Sequence, residues 1–310
     1  MVALILLMLI IIILAAVFSW LAVYVAWPKK HTLESSWEAE SKIPFLQGVD
    51  VTPEKEYKVR SYDGYELCAA YLPAKAGDAV SRTQAGSERF VILSHGYTYT
   101  RNGALKYVYL FRKLGYNCII YDNRGHGANP NTKVMFGLRE AKDLLAVIED
   151  TYERYGQNIS IGLHGESMGG GLQITALKYR PRVDFVINDC GYADLTSVLK
   201  WKAHYDFHMP GWVVLPSSLC CKLIFGYFFG EVRPIDSLPD NQVPICFIHG
   251  EEDMFVKKEH SERMHKATKG YSELHLFPGA DHAQAITSDV ERYEAVLKAF
   301  LDKVYSEKDV

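Results

Sequence analysis

The chain has 310 residues, 48% of them hydrophobic, and carries 34 Lys and Arg against 37 Asp and Glu for a net charge of −3. That length and apolar content suit one large domain with a full core. A weak negative charge with no basic stripe excludes nucleic-acid binding of the electrostatic kind, and no internal repeat or low-complexity tract is present.

The amino terminus differs from the rest. From Val2 to Trp27 there is no charged residue, and most positions are Leu, Ile, Val or Ala. About 20 such residues cross a bilayer as a helix, so residues 2–27 are expected to form a single-pass transmembrane anchor with the lipid bilayer as partner. A cleaved signal peptide is the alternative. It calls for basic residues before the apolar run and small residues at the cut. Here no Lys or Arg precedes the run, and a cut after Ala26 would have Tyr24 two positions earlier. Lys29 and Lys30 follow the run, which favours a cytoplasmic catalytic domain by the positive-inside rule and leaves the opposite side open. Residues 28–50 are polar and are expected to be a tether. The core is expected to begin near Asp50, so that a chain starting near Lys42 should be soluble and active.

Two segments, Glu54 to Tyr62 and Glu66 to Leu72, predict a hairpin across Asp63-Gly64, a strong turn pair. Ala74 to Glu88 is rich in Ala, Gly and Ser and reads as a surface loop. Phe90-Val91-Ile92-Leu93-Ser94-His95-Gly96-Tyr97 is an apolar strand running into a His-Gly turn. Cys118 to Tyr121 and Phe185 to Ile187 are continuous apolar strands, and Leu138 to Tyr155 is an amphipathic helix with Leu144, Leu145, Val147 and Ile148 on one stripe. Strand and helix then alternate, which predicts an α/β fold with a mostly parallel sheet of about eight strands and helices on both faces. Asp194 to Asn241 breaks that rhythm with Trp201, Phe207, Trp212, Phe225 and Phe229 among prolines, and reads as a small cap insert over the site. Most of its aromatics would pack the cap onto the sheet, and Trp212 to Leu215 could instead touch a membrane. Six cysteines show no zinc spacing. Cys68, Cys118, Cys190 and Cys246 fall in strands as small apolar residues, and adjacent Cys220 and Cys221 are awkward to pair with each other. The Asn158-Ile159-Ser160 sequon opens a core strand and reads as a chance match.

The chemistry concentrates at Gly165-Glu166-Ser167-Met168-Gly169, a G-x-S-x-G between the strand Ile159 to His164 and the helix Gly170 to Tyr179. A serine there stands on a sharp turn above the sheet edge. Its hydroxyl is nearly inert at neutral pH and needs a base, and the base needs an orienting acid. Downstream, Ile245 to Gly250 reads as a strand followed by Glu251-Glu252-Asp253, and Leu274 to Phe277 reads as a strand followed by Pro278-Gly279-Ala280-Asp281-His282. His282 is the candidate base by its place after the last strand. Asp253, Glu251 and Glu252 are candidate acids, and Asp189, at the end of its own strand, is a rival. The backbone N–H groups of Tyr97 and Met168 are the candidate oxyanion donors. His95, His126 and His164 read as structural, and His249 and His275 as satisfied core histidines.

These residues resemble the α/β-hydrolases over roughly residues 51–310, closest to the serine hydrolases grouped with S33-type aminopeptidases and monoacylglycerol-lipase-like esterases. The resemblance is carried by Ser94-His95-Gly96, Asp122-Asn123-Arg124-Gly125-His126-Gly127, the serine turn, Gly250 to Asp253 and Gly279 to His282. It implies a Ser167–Asp253–His282 triad, no cofactor and no metal, and a structural role for the Asp122 to Gly127 turn. The aromatic-rich serine turn and large acidic cap of the prolyl aminopeptidases are not seen. The expected activity is hydrolysis of a small or monoacylglycerol-like carboxylic ester. The alternatives are an S33-type aminopeptidase or amidase and a non-catalytic binding protein on the same scaffold.

Overall fold

The computed structural model describes residues 1–74 and 88–306. The expected surface loop at 74–88 therefore lies almost wholly outside the described residues. After the long helix α1 (Val2–Ala26) and the short helix α2 (Leu33–Glu40), strands β1 (Lys55–Arg60) and β2 (Glu66–Leu72) pair antiparallel as the expected hairpin. The chain continues through β3 (Arg89–Ser94), α3 (Leu105–Lys113), β4 (Asn117–Tyr121), α4 (Glu140–Tyr155), β5 (Ser160–Glu166), α5 (Met168–Ala176) and β6 (Phe185–Asp189). Helices α6 (Leu195–Phe207) and α7 (Val214–Phe225) precede β7 (Ile245–Gly250), α8 (Glu259–Ala267), β8 (Ser272–Phe277), α9 (Ala285–Ser288) and α10 (Val290–Ser306).

The eight strands form one sheet in the order β1-β2-β4-β3-β5-β6-β7-β8, with β2 antiparallel to both its neighbours and the rest parallel. Every residue of β4, β5, β6 and β7 is buried. Parallel strands covered on both faces need continuous apolar runs, which is why these segments do not alternate. One face packs on α3 and α10 through Val108, Phe111, Leu297 and Phe300. The other packs on α4, α5 and α8 through Leu144, Val147, Leu172, Ile174 and Met264. Arg124 ties the hairpin to the sheet, donating to Asp63 at 2.9 Å and to Asp143 on α4 at 2.6 Å. Around it, Asp122 accepts from the Arg101 backbone N–H and side chain, so the Asp122 to Gly127 turn is a structural brace.

A third apolar cluster sits over the carboxyl edge of the sheet. It joins Val134, Met168, Tyr192, Val198 and Val214 to Leu21, Ala22, Val25 and Ala26 of α1. Two expectations are corrected here. Residues 28–50 are no loose tether: Thr32 caps α2 on the Ser35 N–H, buried Ser36 bonds Thr100 at 2.7 Å, and Leu46 enters the main core. Nor is α1 foreign to the hydrolase body, because its carboxyl-terminal turns are buried in the third cluster while residues 1–16 are exposed. An all-apolar segment reads as a membrane device whatever its last turns touch, so composition alone missed the docking.

Removal of residues 1–41 therefore strips Leu21, Ala22, Val25, Ala26 and Ser36 from buried sites. With about 1.5–3 kcal/mol per buried Leu or Val and roughly 2–4 °C per kcal/mol at this size, the truncated chain is expected to melt roughly 10 °C below the full chain in the same detergent. Differential scanning fluorimetry checks this.

Candidate active site

Ser167 joins β5 to α5 with φ 54° and ψ −113°. A non-glycine residue holds such a conformation only when its surroundings enforce it. Here β5 and α5 cross so closely that a Cβ at Gly165 would lie 2.4 Å from the Gly169 carbonyl group, and α5 lies so near the end of β3 that one at Gly169 would lie 2.0 Å from the Ser94 oxygen. The tight crossing raises Ser167 above the sheet edge, where β7 and β8 deliver their following loops.

Those loops bring the expected partners together. His282 Nε2 lies 2.9 Å from Ser167 Oγ, and His282 Nδ1 lies 2.7 Å from Asp253 Oδ2. A carboxylate can only accept, so Nδ1 carries the proton and Nε2 is left to accept from the serine hydroxyl. Asp253 Oδ1 accepts the N–H groups of Phe255 and Val256, each at 2.8 Å. Burial works to raise its pKa, but the His249 and His282 imidazoles beside it outweigh burial and hold the carboxyl well below the usual range. Asp253 is thus an anion fixed on all sides.

Its rivals point elsewhere. Asp189 is buried at the end of β6, accepting from Tyr107 of α3 at 3.0 Å and Tyr293 of α10 at 2.8 Å, and burial with the Glu166 charge pushes its pKa up to about 6. Glu251 faces Lys258 at 4.0 Å. Asp281 accepts the N–H groups of Met254 and His282, which shapes the loop that holds the histidine.

Three features carried no signal in the sequence. His249, expected only as a core histidine, lies 3.2 Å from Asp253 Oδ2 while its Nε2–H donates to the Val256 carbonyl at 2.7 Å and its Nδ1 pairs with Ser261 at 2.7 Å. Beneath the serine, Glu166 accepts from buried Lys106 at 2.6 Å and from Tyr107 at 2.7 Å. Finally, Tyr97 Oη donates to the Val25 carbonyl of α1 at 2.8 Å, which pins the loop after β3 to the amino-terminal helix.

That loop is also aimed by His95, a buried imidazole whose pKa burial lowers. Its Nε2 accepts the Asn123 N–H at 2.9 Å, so Nδ1 donates to the Gly96 carbonyl at 2.8 Å. In a trans peptide the next N–H points the opposite way, and Tyr97 N–H is thereby turned from His95. Met168 opens α5, so its N–H has no intrahelical acceptor. Neither donor is taken up by an acceptor among the described residues.

A cavity of about 400 Å³ opens beside Ser167 and His282. Its wall combines Val198, Leu199, Val213, Val214 and Phe229 of the 194–241 insert with Leu21, Tyr24 and Val25 of α1. Cys190 approaches Asp253 and His282 closely enough to suggest a metal set. Burial and the nearby Asp189 charge push its thiol well up, however, and Asp253 and His282 already satisfy each other. A protonated thiol is a poor ligand, so the donor chemistry does not suit a metal.

The comparisons with known proteins agree with this architecture. The family described as Serine aminopeptidase, S33 matches residues 86–196, and the Dienelactone hydrolase family matches residues 225–305. The uncharacterized protein YqkD of Bacillus subtilis is 29% identical over 79% of this chain and 82% of its own length. Among solved structures, the Pyrococcus furiosus esterase Pf2001 is similar with a TM-score of 0.64 at 23% identity, covering 80% of this chain and 90% of that one. The mouse alpha/beta hydrolase domain-containing protein 10 is similar with a TM-score of 0.60 at 18% identity over 81% and 99%. The chain belongs to the α/β-hydrolase superfamily. Within it, this is a serine hydrolase.

Two outcomes are expected. Asp253→Asn should lower kcat by about 10⁴ through the wrong imidazole tautomer, whereas Asp189→Asn should leave far more activity; steady-state kinetics on both variants decides between them. Glu40, buried near Lys106 and Glu166, has its pKa pushed up to about 7 from 4.5, mainly by burial. Between those values the folded chain holds a proton that the unfolded chain has released, so this group's contribution to stability declines as pH rises through that window. Glu40→Gln should flatten the decline, read from urea midpoints at about pH 5 and about pH 7.5.

Proposed function

We propose that the protein is a membrane-anchored carboxylic ester hydrolase acting on an ester with an apolar acyl group. The single observation that carries this reading is the largely apolar cavity into which Ser167 and His282 open. In the proposed reaction the Ser167 proton passes to His282 Nε2 as Oγ attacks the ester carbonyl. The N–H groups of Tyr97 and Met168 hold the oxyanion, each worth about 2.7–4 kcal/mol by analogy with measured donors. His282 returns its proton to the departing alcohol. Water, deprotonated by His282, then cleaves the acyl-enzyme to free the acid and Ser167. Asp253 orients the imidazole and stabilises its charged form throughout. The 194–241 insert serves as the cap, excluding water and shaping the acyl pocket.

The aminopeptidase alternative needs a free acid to grip the substrate amine. The candidate acids of the insert are engaged: Asp194 accepts from Ser197 and Arg263, Asp206 pairs with Lys202 at 2.9 Å, and Glu231 pairs with Lys222 at 3.0 Å. This favours the ester.

Helix α1 serves as the anchor in this reading. Its 25 residues give a length of about 37 Å, against a hydrocarbon thickness of about 30 Å. Lys29 and Lys30 beyond it favour a cytoplasmic body. The chain should resist carbonate extraction and protease added to intact cells; release by carbonate would refute the anchor, and digestion from outside would refute only the orientation.

The substrate class is tested with a chain-length series of nitrophenyl esters. Each added methylene should raise kcat/KM by up to about fourfold, from about 0.8 kcal/mol of burial, until the cavity is full. Labelling by a fluorophosphonate probe should disappear in Ser167→Ala. Aminoacyl amides cleaved faster than every ester would move the protein to the peptidase class.

A further inference from the structure

Helix α7 has two faces. Val214, Ser217, Ser218 and Cys221 are buried, whereas Leu215, Leu219 and Leu223, one turn apart, are 78%, 52% and 78% exposed. Trp212, just ahead of the helix, is 62% exposed. The only charge on α7 is Lys222, and it is paired with Glu231. A soluble domain rarely leaves such a stripe open to water.

Helix α7 packs beside α1, and the two helices run past each other in the same direction. Phe18 meets Trp212 edge-on at 6.2 Å, and Trp27 stacks on Phe225 at 6.4 Å. On α1 itself, exposed Trp20, Tyr24 and Trp27 fall on successive turns just before Lys29 and Lys30. Phe207 of α6 joins this group, with its ring 5.9 Å from Trp20 and 5.6 Å from Tyr24. Aromatic rings followed by lysines mark the level at which a spanning helix leaves the hydrocarbon for the headgroups. Whatever packs along residues 18–27 of α1 is therefore held at interface depth, and α7 is what packs there.

We infer that the catalytic body rests in the membrane surface, with Trp212, Leu215 and Leu219 inserted among the lipid acyl chains. Its ester substrate is accordingly a membrane-resident amphiphile rather than a freely dissolved ester. The active-site cavity lies directly behind this surface: Leu21, Tyr24 and Val25 of α1 and Val214 and Ser217 of α7 form its wall. A lipid whose ester group sits at headgroup depth would need little vertical travel to reach Ser167. The inference rests on the reading of α1 as an anchor and deepens that of the ester hydrolase.

The test uses the full chain in phosphatidylcholine–phosphatidylglycerol vesicles that carry an apolar photoactivated carbene reagent, with labelled peptides mapped by mass spectrometry. Label is expected on Trp212, Leu215 and Leu219 as well as on α1. Label on α1 with none on α7 overturns the inference, whereas release of the whole chain by carbonate overturns the anchor instead. Kinetics give a second readout. In the Leu215→Ser, Leu219→Ser double variant, the ratio of turnover on a vesicle-borne long-chain ester to kcat/KM on a water-soluble short-chain ester should fall about tenfold, as expected for weakened apolar insertion. An unchanged ratio overturns the inference even if both rates drop.

Discussion

The close crossing of β5 and α5 at Ser167 is the constraint on which the rest of the site depends. With Gly165 and Gly169 in van der Waals contact with the opposing backbone, there is no room for the chain to relax, and Ser167 is held at φ 54°. That one residue then does several things. Its own N–H is spent on the Asp189 carbonyl at 2.8 Å, which locks the turn to the neighbouring strand. Its Oγ faces His282, and the first N–H of α5 is left free at the position of Met168. Strain at the turn, the raised hydroxyl and the unpaired donor are one feature seen three ways.

Beneath the turn lies a charged layer. Lys106 is buried with Glu166, Glu40 and Asp189 around it, and a single ammonium cannot neutralise three carboxylates in a dry interior. Burial pushes Glu40 and Asp189 up to about 7 and about 6, so both take up a proton more readily than a carboxylate in water. Glu166 remains the direct partner of Lys106, and its other oxygen faces the Cα of Gly96. The layer thus connects α2, α3 and the serine turn to the loop that offers Tyr97 N–H, with Tyr107 and Tyr293 as its neutral struts.

The sheet was legible in the sequence because parallel strands buried on both faces leave uninterrupted apolar runs, as in Cys118 to Tyr121 and Ile245 to Gly250. Ser167 and His282 were legible because each stands just past such a run. The choice between Asp253 and Asp189 was not, since both follow strands at the same edge. Only the fold shows that one meets His282 and the other is taken by two tyrosines of α3 and α10. Contacts such as Lys106 to Glu166 or His249 to Asp253 join residues 60 apart or the end of β7 to the loop after it, and neither has a periodicity to announce it. The supposed tether failed for a related reason. Its polarity reflects exposed Glu34 and Glu38, while Ser36 and Leu46, too few to make a pattern, anchor it.

Helix α1 unites these threads. Tyr97 is hydrogen-bonded to its Val25 carbonyl, Leu21 and Val25 wall the cavity, and its aromatic turns carry α6 and α7 beside them. A helix that merely tethered an enzyme would need none of these contacts. Because a planar peptide fixes Tyr97 N–H relative to the Gly96 carbonyl, while Tyr97 Oη is held by the Val25 carbonyl and its ring lies 5.1 Å from that of Phe136, the position of α1 is transmitted to one of the two donors proposed for the oxyanion. Displacement of that donor by an ångström would cost much of its transition-state interaction. In the proposed reaction the amino-terminal helix is therefore coupled to the geometry at the reacting carbon, and under the proposed anchoring its depth bears on the chemistry as well as on location.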